Sequence, residues 1–428
     1  MRVAIIGAGA AGLCAARHST RLIANLDKLV VFEQTENVGG TWVYTSKTGT
    51  DAHGLPIHSS MYRDMRTNIP KEAMQFPDFA FKQTSSRDSF VSHSMVLDYL
   101  QRYAANFDIM KFIRFNTHVK KIRRNELAEC WTVTSHSLLE NRCTDEQFDA
   151  VFVCNGHYFQ PKLPKIAGSE EYKCKLVLHS HDYRHNEPFA GMNVAVLGAG
   201  PSGIDIAIEL ADVCPVVYLC HKGGPLRGRL PANVQQMGAF ATMTSDRILL
   251  TDGQPITPQA IVYCTGYDYA FPFFDAATLP LHVADGRVRP LYQHLIHIEH
   301  PQLIFVGICA RIVPFPNFDV QVQFACRLLN GAVKLTKEEM YQWEADDFER
   351  RTKQLGWHER FAHWLGSAQW DYCRTLAHVG NFTYPIALAA ERLHEYTWHT
   401  KTDLVAYKHR KYVLLDEEQF EDVTDGDA

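Results

Sequence analysis

Two glycine turns of the form G-x-G-x-x-G constrain this chain more than anything else in it. The first, Gly7-Ala8-Gly9-Ala10-Ala11-Gly12, comes directly after the apolar run Val3–Ile6. The second, Gly198-Ala199-Gly200-Pro201-Ser202-Gly203, comes after Val194–Leu197, about 190 residues later. A glycine turn between a strand-like run and a helix-like run is the fingerprint of a dinucleotide-binding β-α-β unit. The first unit reads as a strand at Arg2–Ile6, a helix over roughly Ala10–Ile23 and a strand at Lys28–Phe32. The second repeats the order with Asn193–Leu197, Ser202–Ala211 and Val216–Cys220. The expected fold class is therefore α/β, with two Rossmann-like dinucleotide-binding domains. Two such sites on one chain imply two dinucleotides bound together, with electrons passing between them.

Two further strand-plus-glycine turns bracket the second fingerprint. Ala150–Cys154 runs into Asn155-Gly156-His157, and Ala260–Cys264 runs into Thr265-Gly266-Tyr267. They suggest one domain inserted in another, with Pro161, Pro164 and Pro188 marking the outward linker. The expected division is residues 1–158 as the first segment of one domain, 159–269 as the insertion, and 270–428 as the returning segment. A helix is expected at about 93–106. The stretch from Thr336 to about Arg374 reads as largely helical, opened by the capping-box pattern Thr336-x-x-Glu339. Asp416 to Ala428 is acidic and polar and reads as a frayed tail.

The two fingerprints differ in the residues beyond them. The first and third glycines, Gly7 and Gly12 or Gly198 and Gly203, serve the tight turn and close helix–strand packing. Gly9 and Gly200 admit a pyrophosphate, which the helix N-terminus stabilises. The first unit ends in Glu33, about 21 residues beyond Gly12. A carboxylate there accepts hydrogen bonds from both ribose hydroxyls and repels a 2′-phosphate, which fits FAD or NAD and excludes NADP. Gly39-Gly40-Thr41-Trp42 comes next, a diglycine that lets the chain run close beside a flavin, and this tips the site to FAD. The second unit ends in Cys220-His221-Lys222, with Arg227 and Arg229 behind it and no acid. Cations there suit the 2′-phosphate of NADPH.

Composition closes off other classes. With 43 Lys and Arg, 48 Asp and Glu and a formal net charge of −5, the chain has no basic stripe for nucleic acid. Eleven cysteines lie scattered without a C-x-x-C pair, which favours reduced thiols over a disulfide framework. No apolar stretch has the length of a membrane helix, and Met1–Ile6 reads as the first strand rather than a leader. A cytoplasmic location is expected. A secreted one, for a chain whose leader was removed, is the alternative, and the lone sequon Asn381-Phe382-Thr383 does not decide between them. His179, His181 and His185 lack accompanying acid or cysteine ligands and read as exposed linker histidines, so no metal is expected. The tryptophan-rich helices from Trp343 to Trp398 suggest core or subunit contact and a possible homo-oligomer.

These residues resemble the flavin-containing monooxygenases of class B, and the insect branch more than the mammalian one. The resemblance covers roughly residues 2–335. It rests also on Arg66-Thr67-Asn68-Ile69-Pro70-Lys71-Glu72, similar to the family's Thr-Asn-x-x-Lys-Glu segment, on Cys264-Thr265-Gly266-Tyr267, and on Gln321 through Gly331. Of the family's linker motif, His179 and Tyr183 match, whereas Lys173 and Lys175 stand where Phe and Gly occur. The resemblance implies FAD held by Gly7, Gly9, Ala10, Gly12, Glu33, Gly40, Thr41, Trp42, Asn68 and Gln321. It implies NADPH held by Tyr183, Gly198, Gly200, Ser202, Gly203, His221, Lys222 and Arg227. Pro314 to Asn317 is an expected apolar lining of the substrate pocket.

The implied reaction is N- or S-oxygenation of a soft nucleophile by molecular oxygen through a C(4a)-hydroperoxyflavin. The implied substrate is a small molecule, plausibly a tertiary amine such as a pyrrolizidine alkaloid, and Asn68 is the implied catalytic residue. A Baeyer–Villiger monooxygenase shares most of these motifs but carries Trp where Tyr183 stands. A disulfide reductase would need a dithiol that the chain lacks. A redox-sensing flavoprotein is a further alternative.

Overall fold

The computed structural model describes residues 1–81, 88–275 and 279–424. Its centre is a sheet whose inner strands are apolar on both faces. The strands are β1 (Arg2–Ile6), β2 (Lys28–Phe32), β3 (Ile113–Arg114) and β4 (Ala150–Val153), with helix α1 (Ala10–Leu22) joining β1 to β2. Side chains alternate across such a strand. Val3, Ile5, Leu29, Val31 and Phe152 enter one core, and Ala4, Ile6, Val30, Phe32, Val151 and Val153 enter the other. The second core is closed by an antiparallel meander (Thr117–Asn125, Cys130–Ser137, Arg142–Phe148), whose Trp131 and Phe148 are fully buried.

A second, wholly parallel sheet is built from β5 (Leu176–His179), β6 (Val194–Leu197), β7 (Val217–His221), β8 (Val234–Gly238) and β9 (Ala260–Tyr263). Helix α2 (Pro201–Ala211) joins β6 to β7, and the strand order is β8-β7-β6-β9-β5. The chain then returns to the first sheet through β10 (Leu291–Tyr292), β11 (Ile296–His297) and β12 (Leu303–Phe305), giving the order β10-β11-β12-β4-β1-β2-β3. One Rossmann-like sheet is thus inserted into the other. Helix α3 (Pro314–Leu329) comes after β12 and packs along α1. The outgoing and returning chains run as a pair: Lys162 donates its backbone N–H to Gly266 O and Asp268 to Gln160 O, both at 3.0 Å. Lys162 Nζ also meets Asp268 Oδ1 at 3.0 Å.

Several local expectations need correction. The outward crossing is not an open linker, because its residues form β5 beside β9. His179 and His181 are consequently 5% and 7% exposed rather than solvated. Lys175 is not among the residues with left-handed backbone, and its N–H donates to Gln259 O at 2.8 Å just before β5, so no glycine is required there. The stretch after Thr336 is largely helical as expected, but in pieces. A capped helix, Lys337–Glu349, gives way to a wide turn at Arg350–Gln354 and short turns before the next helix, Gln369–Val379. The acidic tail is not frayed over its first part. Tyr412–Leu414 and Phe420–Asp422 form a hairpin, and residues 425–428 lie outside the described ones. None of the eleven cysteines is bonded to another, and no helix among the described residues is long and apolar enough to cross a membrane.

Between α1 and α3, His18 Nε2 and Asp319 Oδ2 meet at 2.6 Å with both side chains buried, and Asp319 Oδ1 accepts from Gln323 Nε2 at 2.6 Å. Cys14 lies close by. A tetrahedral ion such as zinc would hold two such ligands about 3.3 Å apart, so the pair is a hydrogen bond rather than half of a metal site. Asp319→Ala leaves buried His18 and half-buried Gln323 without this partner and is expected to cost about 1–3 kcal/mol. A denaturation midpoint equal to that of the unaltered protein would remove the pair from the forces holding α1 to α3.

Candidate functional site

The glycines of the two fingerprints are placed alike. Gly7 (φ +101°) and Gly198 (φ +118°) adopt left-handed backbone where a side chain is strained. A Cβ on Gly7 would lie 2.7 Å from Cys154 O, at the end of β4. One on Gly198 would lie 2.2 Å from Cys264 O, at the end of β9. A Cβ on Gly12 would lie 1.8 Å from Gly7 O, and on Gly203 1.9 Å from Gly198 O. Each helix therefore starts hard against its own turn. At both helix starts the capping glycine, Gly9 or Gly200, offers no side-chain cap. The first-turn N–H groups, those of Ala10 and Ser202 among them, stay open to an anion.

The neighbourhoods of the two turns differ. In the first, Gly40 backs onto Gly9, where a Cβ on Gly40 would lie 3.0 Å from Gly9 Cα. Gly39 N–H donates to Ala8 O at 3.0 Å. Gly40, Thr41 and Trp42 form a single turn, with the Trp42 ring set edge-on to Phe315 of α3 at 6.4 Å. Glu33 Oε2 accepts from Ala8 N–H at 2.8 Å, and Oε1 accepts from Thr35 N–H and Oγ1 at 2.9 and 2.8 Å. Burial pushes the Glu33 pKa up, opposed by these donors. Both oxygens of Glu33 are therefore engaged by donors of its own chain.

In the second, β7 ends at His221. Lys222 and Arg227 are exposed, and Arg229 pairs with Asp403 at 2.6 Å. A Cβ on Gly200 would meet nothing within 4 Å. Tyr183 does not reach this surface: it is fully buried in the second domain, against Tyr62 and Phe189. Gln321 is equally withdrawn. Its carboxamide accepts from Gly307 N–H at 3.1 Å and donates to Tyr372 Oη at 2.9 Å, so it holds the turn after β12. Phe315 and Asn317, in the expected pocket segment Pro314 to Asn317, are buried at the start of α3.

The segment 59–72 runs between the two domains. Tyr62 and Met65 pack into the core of the second. Beyond them the chain is stitched to 88–92: Thr67 N–H donates to Val91 O at 2.8 Å, Lys71 N–H to Ser89 O at 2.7 Å, and Arg66 Nη2 to Phe90 O at 2.7 Å. Asn68 lies in the middle of this stitching. It is exposed, and its carboxamide bonds to no described residue. Capping a local turn is therefore not its role.

The crevice between the sheets also carries groups without a sequence motif. His157, in the turn after β4, donates from Nδ1 to Gly307 O at 2.7 Å, and its buried Nε2 has no partner. Burial lowers its pKa to about 4. His58, stacked on Phe159 at 4.8 Å, is lowered to about 4 by burial, with His181 adding to the drop. Both are neutral near pH 7. Buried Arg184 donates to Lys47 O, Ser59 O and His181 O at 3.1, 3.2 and 2.7 Å and ties the loop at 47–59 to the crossing chain. Only the glycine turn after β4, at Gly156, hinted at this place. His58 and Arg184 carry no local signal because the Phe159 ring and the carbonyls of Lys47 and Ser59 that hold them are about 100 residues or more away in sequence.

The chain matches the family described as Flavin-binding monooxygenase-like over residues 1–244 and 230–384. Flavin-containing monooxygenases FMO GS-OX-like 2 and GS-OX-like 4 of Arabidopsis thaliana are each 35% identical to it over 88% of this chain and 84% and 86% of theirs. Among solved structures, S-allyl-L-cysteine S-oxygenase from Allium sativum is 31% identical, with 95% of this chain and 97% of that one covered and a TM-score of 0.81. Tmm from Pelagibacter sp. strain HTCC7211 is 25% identical, with 96% and 94% covered and a TM-score of 0.84. None of these four comes from an insect, so the resemblance holds at the level of the family and not of that branch.

The glycine geometry separates two kinds of substitution. Gly203→Ala drives a methyl group into Gly198 O and is expected to lower the thermal midpoint. Gly200→Ala has open space and ordinary backbone, so it should leave the midpoint unchanged while weakening NADP+ in a calorimetric titration. Equal midpoints for both variants would contradict this packing.

Proposed function

This chain belongs to the flavin-containing monooxygenase family, and we propose that it transfers one atom of molecular oxygen to a soft heteroatom of a small substrate. FAD and NADPH are the cofactors of the family. The residues fit both groups: two uncapped helix starts face two glycine turns, one beside a carboxylate and one beside cations. FAD is assigned to the first turn, on Gly7, Gly9, Ala10, Gly12 and the Gly40–Trp42 turn, with the Glu33 carboxylate toward a ribose hydroxyl. NADPH is assigned to the second, on Gly198, Gly200, Ser202 and Gly203, with His221, Lys222 and Arg227 toward its 2′-phosphate. Residues 1–158 with 270–428 then form the FAD domain and 159–269 the NADPH domain. When bound, the flavin passes reducing equivalents from NADPH to oxygen and one oxygen atom to the substrate.

The chain's own contribution is binding, orientation and exclusion of water. The backbone N–H groups at the start of α1 and α2 neutralise the two pyrophosphates. Asn68 supplies a carboxamide on backbone stitched on both sides, with no bond to a described residue, on the segment that runs between the two domains. That is the observation that carries the proposal, because a preorganised donor stabilises developing charge without reorganising. Buried Gln321 and Tyr372 fix the turn at Gly307, and neutral His157 and His58 line the crevice without bringing charge into it.

A thioether is the first substrate class, since a similar protein of known structure is named as an S-oxygenase of S-allyl-L-cysteine. A tertiary amine, pyrrolizidine alkaloids included, is the other soft nucleophile that the same chemistry accepts. Asn68→Ala is expected to keep its flavin content and thermal midpoint, because the side chain bonds to no described residue. Product formation should fall roughly 100- to 1,000-fold, with NADPH oxidation diverted to hydrogen peroxide. Product still formed one-to-one with NADPH would remove Asn68 from the reaction. A panel of a thioether, a tertiary amine and a cyclic ketone, read by mass spectrometry, is expected to yield sulfoxide and N-oxide. Ester from the ketone alone would indicate a Baeyer–Villiger enzyme instead.

A further inference from the structure

After the helix Leu388–Thr400 the chain crosses back to the second domain and lies along the loop beyond β7. Arg229 N–H donates to Thr402 O at 3.0 Å, and Leu404 N–H donates to Arg229 O at 3.1 Å. The Arg229 guanidinium pairs with Asp403 at 2.6 Å. The contact is close: a Cβ on Gly228 would lie 2.9 Å from Leu404 and 3.2 Å from Thr402 O. The same strap reaches helix α2, where Lys408 Nζ bonds Asp205 Oδ2 at 2.5 Å and Arg66 O at 3.2 Å. Asp205 also accepts from Tyr62 Oη at 3.1 Å. Residues 401–410 therefore span from the Arg227 loop to the first turns of the second nucleotide helix.

Three cations of this strap and its loop, Arg229, Lys408 and Arg410, are matched by acids. Lys401 is not. Lys401 lies with Nζ 3.7 Å from the centre of the Tyr407 ring and pairs with no carboxylate among the described residues. Asp205 is near enough to favour its charge, but that carboxylate already serves Lys408 and Tyr62. Burial lowers the Lys401 pKa to about 8, so it carries its charge at neutral pH without a counterion. An unmatched, partly desolvated ammonium is unfavourable unless an anion completes it. It stands next to the residue that holds Arg229, on the loop where the second fingerprint carries cations in place of the ribose acid.

We propose that Lys401, brought in by the C-terminal strap, completes the second nucleotide site by pairing with the 2′-phosphate of NADPH. This rests on the assignment of NADPH to the second fingerprint. The strap would then join the FAD-side segment 66–72, through Lys408 and Arg66, to the phosphate end of the other nucleotide. The aromatic face of Tyr407 holds the ammonium in place, and the Arg229–Asp403 pair fixes the backbone on which it sits.

The test is calorimetric binding of 2′,5′-ADP, and separately of 5′-AMP, to the flavin-loaded protein and three variants. Lys401→Met keeps the apolar stem over Tyr407 and removes the charge. Lys401→Arg keeps the charge, and Lys222→Ala probes the loop independently. A charge-assisted bond is worth enough to change affinity roughly tenfold or more. Lys401→Met is expected to weaken 2′,5′-ADP by that factor and leave 5′-AMP unchanged, with Lys401→Arg close to the unaltered protein. If Lys401→Met binds 2′,5′-ADP normally while Lys222→Ala does not, the inference falls and the NADPH assignment stands. If Lys401→Met weakens both probes equally, Lys401 serves another part of the nucleotide and the inference again falls. If the unaltered protein binds 2′,5′-ADP no better than 5′-AMP, the NADPH assignment itself fails. Unchanged flavin content and thermal midpoint in Lys401→Met distinguish a lost contact from a lost fold.

Discussion

Each nucleotide cradle depends on one steric fact: no Cβ fits where the third glycine of its turn meets the carbonyl of the first. Gly12 against Gly7 and Gly203 against Gly198 set the distance between a helix start and its strand, and the carbonyls of Cys154 and Cys264 close the turns from the neighbouring strand. The uncapped N–H groups of α1 and α2 then point at a space whose floor is backbone. Two such floors, built alike, suit two similar pyrophosphates. Everything that distinguishes the two sites has to come from residues outside the glycines.

Those residues divide the sites by charge. Beside the first turn, a carboxylate is held by Ala8 and Thr35. Beside the second, Lys222 and Arg227 are exposed on a loop that the C-terminal strap braces through Arg229 and Asp403. The segment 59–72 connects the two, anchored in one domain by Tyr62 and Met65 and in the other by the bonds of Thr67 and Lys71. Asn68 is left free by that anchoring. A carboxamide in such a place can serve a reaction between two bound cofactors because neither domain can move it independently of its neighbours.

Much of the fold is legible in the sequence because the strands are short, apolar and bounded by glycine. The limits of β1, α1, β2 and α2 match the sequence pattern within about a residue, since propensity, periodicity and turn chemistry agree there. Burial decided by partners distant in sequence is not legible. His179 and His181 look like linker histidines until β5 is seen beside β9. Tyr183 and Gln321 look like cofactor contacts, yet their environments are the core of the second domain and the turn at Gly307. Glu33 stands out in the sequence as a carboxylate at the end of β2, but the bonds to Ala8 and Thr35 that limit its reach involve no motif. The strap at 401–410 is invisible for the same reason: its partners, Arg66, Asp205 and Arg229, lie hundreds or dozens of residues away from it and from one another.

A crystal structure of the protein with FAD and NADP+ bound would test the central claim most directly, that two cradles of opposite character hold two nucleotides with Asn68 between them. The expected result is the FAD pyrophosphate over Gly9 with Glu33 at its ribose, the NADP+ pyrophosphate over Gly200 with its 2′-phosphate toward Lys222 and Arg227, and the Asn68 carboxamide within hydrogen-bonding distance of both. Both nucleotides on one turn, or Asn68 facing solvent with the two bound, would contradict it.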